Sequence, residues 1–196
     1  MAVRVRNFLF FLGVLPEHSF PVPVIAIGNL SVGGTGKTPL VEYMANLLVK
    51  DGFLPAVVSR GYKGSAKGVV FLDQDQTAAE VGDEPYQIKA KYPDVPVVVS
   101  QNRVNAIRQI MANIPGVDVI ILDDAFQHRY VKPGLSILTT PYARLFTEDF
   151  LLPSGWLREP KSAKSRADLI VVTKSLAVLS PFELGRIKAE IKPEPH

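Results

Sequence analysis

Short runs of β-branched and other apolar residues punctuate the chain at Val24 to Ile27, Ala56 to Ser59, Val95 to Ser100, Val117 to Leu122, Leu135 to Thr139 and Leu169 to Thr173. Their apolarity is continuous rather than alternating, which predicts strands buried on both faces and hence a largely parallel sheet. Between them, Pro39 to Lys50, Glu84 to Lys91 and Arg103 to Asn113 read as helices, each following a Gly, Ser or Asn that can cap or turn the chain. Strand and helix alternate, the pattern of a doubly wound α/β fold with helices on both faces. Gly61, Gly64 and Gly68 mark one irregular stretch and Pro153, Gly155 and Pro160 another. Beyond Lys174 the pattern weakens, and Pro181 to Ile191 reads as a final helix running into Pro193 and Pro195.

The amino terminus imitates a secretory signal, since Arg4 and Arg6 precede an apolar run from Phe8 to Leu15. No small-residue cleavage site follows, and a buried strand begins almost at once near Val24, so the signal reading is rejected. The run is also far short of the ~20 apolar residues that span a bilayer. Two compatible readings stay open: a helix packed on the sheet edge, and an interfacial helix whose arginines meet lipid phosphates.

Composition narrows the partners. A 196-residue chain that is 47% hydrophobic and 21% charged can bury one good core. Its 22 Lys and Arg against 19 Asp and Glu leave a net charge of +3, too slight for the basic stripe of a nucleic-acid binder. A small anionic substrate or an anionic lipid surface fits better. With no cysteine there is no disulfide framework, thiolate metal site or cysteine nucleophile.

The strongest local signal is Ser31-Val32-Gly33-Gly34-Thr35-Gly36-Lys37-Thr38, between a predicted strand and a predicted helix. In such a P-loop the glycines turn backbone N–H groups inward, and the helix start adds positive potential. Lys37 reaches the outer phosphates and Thr38 offers a hydroxyl to magnesium. Gly33, Gly34, Thr35, Gly36, Lys37 and Thr38 are therefore the expected nucleotide-binding residues of a P-loop NTPase-like fold. Pro39, in the first helical turn, lacks a donor that would go unused there. Ser31 departs from the pattern, which has glycine at that position. A second element, Val119-Ile120-Ile121-Leu122-Asp123-Asp124, is an apolar strand ending in two carboxylates. Asp123 is the expected metal residue, and Asp124 is expected to hold a metal-bound water or a substrate group.

The nucleotide is expected to be ATP. Guanine readers carry Asn/Thr-Lys-x-Asp after a late strand, whereas Thr173-Lys174-Ser175-Leu176 ends in Leu. Partition ATPases place a lysine before the double glycine, where this chain has Val32. A P-loop kinase, a regulatory or assembly ATPase, and a non-catalytic nucleotide binder at a membrane surface remain distinct alternatives on these residues.

At this point the chain resembles the tetraacyldisaccharide 4'-kinase family, which phosphorylates the lipid A disaccharide precursor with ATP and magnesium. The resemblance rests on Gly28-Asn29-Leu30 leading into Gly33 to Pro39, and on Ser59-Arg60-Gly61-Tyr62, Gly82-Asp83-Glu84-Pro85 and Asn102-Arg103. It continues through Asp123-Asp124 with Phe126-Gln127-His128, and Leu157-Arg158-Glu159-Pro160; Ala125 stands where the family has glycine. It implies that Asp83 orients or deprotonates the sugar hydroxyl beside Glu84, and that Arg103 and His128 serve the phosphate and substrate region. It further implies that Arg158 and Glu159, near Trp156, meet the lipid headgroup. On the residues alone, Asp83 is equally a helix N-cap, Arg158 and Glu159 a salt-bridged surface loop, and Arg60 and Tyr62 either substrate contacts or pins of the Gly-rich stretch. The implied division is a helix and linker over 1–22, a kinase domain over 23–174, and the start of a second domain over 175–196. Members continue well beyond this length, with a histidine of the second domain assisting the equivalent of Asp83. The expected setting is a monomer, peripheral or monotopic on the cytoplasmic face of the inner membrane, with no nucleic-acid partner.

Overall fold

A computed structural model describes residues 2–61, 64–65, 67–73 and 75–192. Tyr62, Pro193, Pro195 and His196, named above, lie outside the described residues, as does the side chain of Arg4. Strands β1 (Val24–Asn29), β2 (Pro55–Ser59), β3 (Val69–Phe71), β4 (Val97–Ser100), β5 (Val119–Leu122), β6 (Leu135–Pro141) and β7 (Leu169–Thr173) form one sheet in the order β3-β4-β2-β5-β1-β6-β7. All neighbours pair in parallel except β3 with β4. The helices are α1 (Ala2–Phe11), α2 (Lys37–Lys50), α3 (Ala78–Val81), α4 (Asp83–Lys91), α5 (Arg103–Asn113) and α6 (Pro181–Ile191). The doubly wound expectation holds, with two additions after the Gly-rich stretch: the short antiparallel edge strand β3 and the single turn α3.

Continuous apolarity in the central strands has the expected cause. Alternate residues of each strand enter different cores. Ile25, Ile27, Val57 and Ile121 pack with Val41 and Ala45 of α2 and Ile88 of α4. Val24, Ala26, Val58 and Ile120 pack with Val104, Ile107 and Ile110 of α5 on the other face. A third cluster joins Leu30, Phe126, Leu138 and Leu157 to Ile187 and Ile191 of α6. Because the central strands are parallel, their carboxyl ends share one edge, and Asn29, Ser59, Asp123 and Thr173 all lie at it. That edge is where doubly wound sheets bind ligands.

Helix α1 begins earlier than its apolar run suggested and stops at Phe11, before a turn at Gly13 with φ 69°. Phe10 is buried edge-on against Tyr130, with ring centroids 5.1 Å apart, whereas Phe8, Phe11 and Leu12 face outward. Among the described residues no helix is long and apolar enough to cross a membrane.

Candidate functional site

The P-loop leaves β1 through Gly28, Asn29 and Leu30. A β-carbon at Gly28 would lie 2.6 Å from the Phe126 amide nitrogen, so only glycine lets the turn after β5 lie against β1. Ser31 is not a defect: it forms a bridge with Leu157, Val32 N–H donates to Trp156 O at 2.8 Å, and Arg158 N–H donates to Leu30 O at 2.7 Å. Backbone paired to a neighbouring segment has no need of the glycine found there in the usual motif. Gly36, at φ 81°, then opens α2 in the left-handed region. Thr35 is buried beneath the loop, its hydroxyl taking a hydrogen bond from Asn29 Nδ2 at 2.7 Å and lying 3.0 Å from Thr139 Oγ1. The Thr35 hydroxyl is therefore committed inside the protein. Gly33 and Gly34 are exposed, and Thr38 is half-buried in the first turn of α2.

Facing the loop is the turn after β5. Asp124 holds φ 46°, so the left-handed residue of this turn is the aspartate, and Ala125 is accommodated where the family has glycine. Arg158 grips both Asp124 oxygens, at 2.9 and 3.1 Å, and also donates to Asn29 Oδ1. Lys37 Nζ stands 3.6 Å from Asp124 Oδ1. Burial alone would raise the Asp124 carboxyl, but the Arg158 hydrogen bonds and the charges of Lys37, Arg158 and Arg103 hold it below the ordinary carboxylate range.

Asp123 is in the opposite condition. It is wholly buried; Ser59 Oγ donates to Oδ2 at a long 3.4 Å, and Oδ1 has no hydrogen-bond partner among the described residues. Burial, reinforced by Glu84 and Asp124 and only partly offset by Lys37 and Arg103, pushes its carboxyl up to about 7. A buried carboxylate oxygen without a donor suits a hard divalent cation, which brings its own charge and water ligands.

Arg103 supports this turn from behind. Buried at the start of α5, where the Asn102 side chain caps Asn105 N–H at 3.0 Å, it donates to the main-chain oxygens of Asp123 and Asp124 at 2.8 and 3.1 Å. Burial lowers its guanidinium to about 10, leaving it charged at neutral pH.

Together Val32, Gly33, Lys37, Ser59, Arg60, Glu84, Asp124 and Arg158 line a cleft of about 400 Å³. Asp83 is the exposed first residue of α4, next to Glu84; Gly82 occupies the N-cap position without a side-chain cap, so the capping role read for Asp83 is not found. Of the other expected site residues, Asp123 lies buried beside Asp124 and the loop residues Gly34, Thr35, Gly36 and Thr38 adjoin Gly33 and Lys37, whereas Arg103, His128 and Glu159 face elsewhere. Arg103 contacts main chain behind the cleft. His128 lines a separate cavity with Phe126, Arg129 and Arg166, and burial with neighbouring Arg103, Arg6 and Arg60 lowers its imidazole to about 4, so it is neutral at physiological pH. Glu159 corrects the expectation of a headgroup contact: it is fully buried, accepting from Arg6 at 2.9 Å and Asn7 at 3.3 Å of α1, and from Arg166. Asn29, Ser59 and Thr139 gain roles that their sequence neighbourhood gave little hint of, because their partners are distant in the chain.

A largely parallel sheet of this order, with a glycine loop, a buried lysine and an aspartate pair at its carboxyl edge, defines a P-loop α/β protein. The family model described as tetraacyldisaccharide-1-P 4'-kinase matches residues 1–190, and the chain belongs to that family. It is 50% identical over 99% of its length to the tetraacyldisaccharide 4'-kinase of Bacteroides thetaiotaomicron, and 48% identical over 98% to that of Flavobacterium johnsoniae. Those alignments cover 51% and 56% of the relatives, so the chain spans about half the length of the curated relatives it matches. The LpxK of Aquifex aeolicus, solved in complex with ATP, superposes with a TM-score of 0.80 at 37% identity, covering 92% of this chain and 58% of that one.

Proposed function

We propose that this chain forms the nucleotide-binding and phosphoryl-transfer half of a tetraacyldisaccharide 4'-kinase, moving the γ-phosphate of ATP to the 4'-hydroxyl of the lipid A disaccharide 1-phosphate precursor. The observation that carries the proposal is the convergence of Lys37, Asp124 and Arg158 on one cleft at the carboxyl edge of the sheet, with the buried Asp123 beside Asp124, in a chain of this family. ATP-binding is supported by the Aquifex relative solved with ATP and by the loop residues Gly33 to Thr38. Asp123 and the Thr38 hydroxyl would hold magnesium, which when bound neutralises phosphate charge and fixes its orientation.

The protein's own groups then divide the work. Lys37 draws negative charge from the outer phosphates. Arg158, whose terminal nitrogens are held by Asp124 and Asn29, contributes a fixed positive charge to the cleft wall. Arg60 and Glu84, which also line the cleft, would meet the sugar, with Asp83 beside Glu84 accepting the hydroxyl proton. Arg103 fixes the aspartate turn, while His128, a neutral imidazole in its separate cavity, has no part in the cleft. A second domain starting within 175–196 is expected in the longer protein.

The lipid is expected to stay at the membrane surface, with the protein monomeric and peripheral on its cytoplasmic face. Outward-facing Phe8, Phe11 and Leu12 of α1, and the exposed Phe150, Leu152 and Trp156, supply apolar area suited to that contact. The test is phosphate transfer to the disaccharide 1-phosphate by the full-length protein. Asp83→Ala is expected to lower kcat by about 10²-fold or more with little change in ATP affinity; unchanged turnover would remove Asp83 from catalysis.

A further inference from the structure

Thr173-Lys174 served above only to argue against guanine. In the fold this dipeptide ends β7 and lies directly on the P-loop. Thr173 Oγ1 donates to Thr35 O at 2.7 Å and lies 3.3 Å from Thr140 O, and Lys174 Nζ donates to Gly34 O at 2.6 Å. Two consecutive carbonyls of the loop are thus held from outside. We infer that Thr173 and Lys174 are positioning residues of the phosphate site, a latch that fixes two outer carbonyls of the loop and so holds its shape and aims the Gly36 amide at the nucleotide. The inference rests on the ATP-binding reading proposed above.

Peptide planarity supplies the mechanism. In a trans peptide the C=O and the following N–H point in opposite directions. Drawing Thr35 O toward Thr173 therefore aims Gly36 N–H away from β7, as an anion cradle requires. Drawing Gly34 O toward Lys174 fixes the adjoining peptide, whose Thr35 N–H donates back to Gly33 O at 3.1 Å, so this half of the latch holds the shape of the loop and the Thr173 half aims an amide. The contact has no slack: a β-carbon at Gly36 would come within 3.0 Å of Thr173 Cβ. Lys174 adopts φ 54°, a backbone conformation uncommon outside glycine, at the residue whose ammonium reaches the loop. Neither residue lines the cleft, so both act through the loop.

The latch also ties the loop to the chain that follows β7. Thr173 O accepts from Tyr142 N–H at 2.8 Å, and Tyr142 OH donates to Glu183 in the first turn of α6 at 2.6 Å. The loop's outer rim, β7 and α6 are therefore one connected unit.

The experiment uses the full-length protein, with ATP affinity measured by equilibrium binding alongside steady-state transfer. Thr173→Val and Lys174→Met are each expected to weaken ATP binding and raise the KM for ATP about 5–20-fold, leaving the KM for the lipid disaccharide within about twofold. Thr173→Ser keeps the hydroxyl and is expected to restore ATP binding. ATP affinities within about twofold of the parent in both Thr173→Val and Lys174→Met overturn the latch, as does a Thr173→Ser protein as impaired as Thr173→Val. Lys174 is exposed, so Lys174→Met decides the matter if Thr173→Val does not fold. A parent protein that binds no ATP sinks the proposed function itself. One that binds ATP and transfers phosphate while both variants match it sinks only the latch.

Discussion

Two carboxylates of this chain, Asp123 and Glu159, are fully withdrawn from solvent, and their surroundings differ in kind. Glu159 is saturated: Arg6, Asn7 and Arg166 occupy its oxygens, joining α1 to the segment after the Arg158 loop. Asp123 has one distant hydroxyl and an oxygen with no hydrogen-bond partner among the described residues, and its carboxyl is pushed up to about 7. Burial of a charge is tolerated when it is paired and costly when it is not. The saturated carboxylate therefore serves architecture, whereas the unsaturated one retains an unfavourable condition that a bound cation would relieve.

The sharpest way to break this contrast is Asp123→Asn. Transfer is expected to fall by about 10³-fold or more, equivalent to about 4 kcal/mol of lost transition-state stabilisation. Stability should move the other way. The Asp123 carboxyl is raised in the folded state, so its protonated form stabilises the fold fully below the unfolded pKa, and that contribution is lost as pH rises through about 7. Without magnesium, thermal melting at pH 8 should therefore show Asp123→Asn more stable than the parent by roughly 1–3 kcal/mol, with the difference shrinking toward pH 4. Magnesium should narrow it by stabilising the parent alone. A variant less stable than the parent at pH 8 would mean that Asp123 is satisfied after all.

Glu159→Ala should give the reverse pairing of effects. Loss of roughly 3 kcal/mol in denaturant unfolding is expected, the low end for breaking a buried pair, because both arginine side chains keep some access to water. Equilibrium ATP binding below the melting range should change little. A smaller effect is expected from Arg158→Lys, which keeps the charge but loses the two-pronged grip on Asp124. Transfer should fall about 10–30-fold with melting nearly unchanged, and a wild-type rate would show that the guanidinium geometry is dispensable.

The sequence disclosed those parts of this contrast whose determinants are contiguous. The P-loop is legible because its strand, turn and helix start occupy one short window. Asp123 is legible because an apolar strand ends there. Glu159 could not be read the same way, since its partners Arg6 and Arg166 are brought to it only by the docking of α1 and by the turns after Pro160. Strand β3 escaped notice because three residues after Gly68 carry too little periodicity, and their pairing with β4 decides their state. The Thr35, Thr139 and Thr173 hydroxyls are ordinary strand-end residues until β6 and β7 are laid beside β1. The residues of the Asp124–Arg158 clasp were named through the family motif, but their grip on one another is a product of topology.

The close approach of Gly28 to Phe126 bears on how such a site can be altered. The base of the P-loop and the turn carrying both aspartates are pressed together with no room for even a methyl group, so neither can be displaced without carrying the other. Engineering or drift that seeks a new substrate is thereby channelled to the walls of the cleft, at Arg60 and Glu84, while the triphosphate end is inherited as a block.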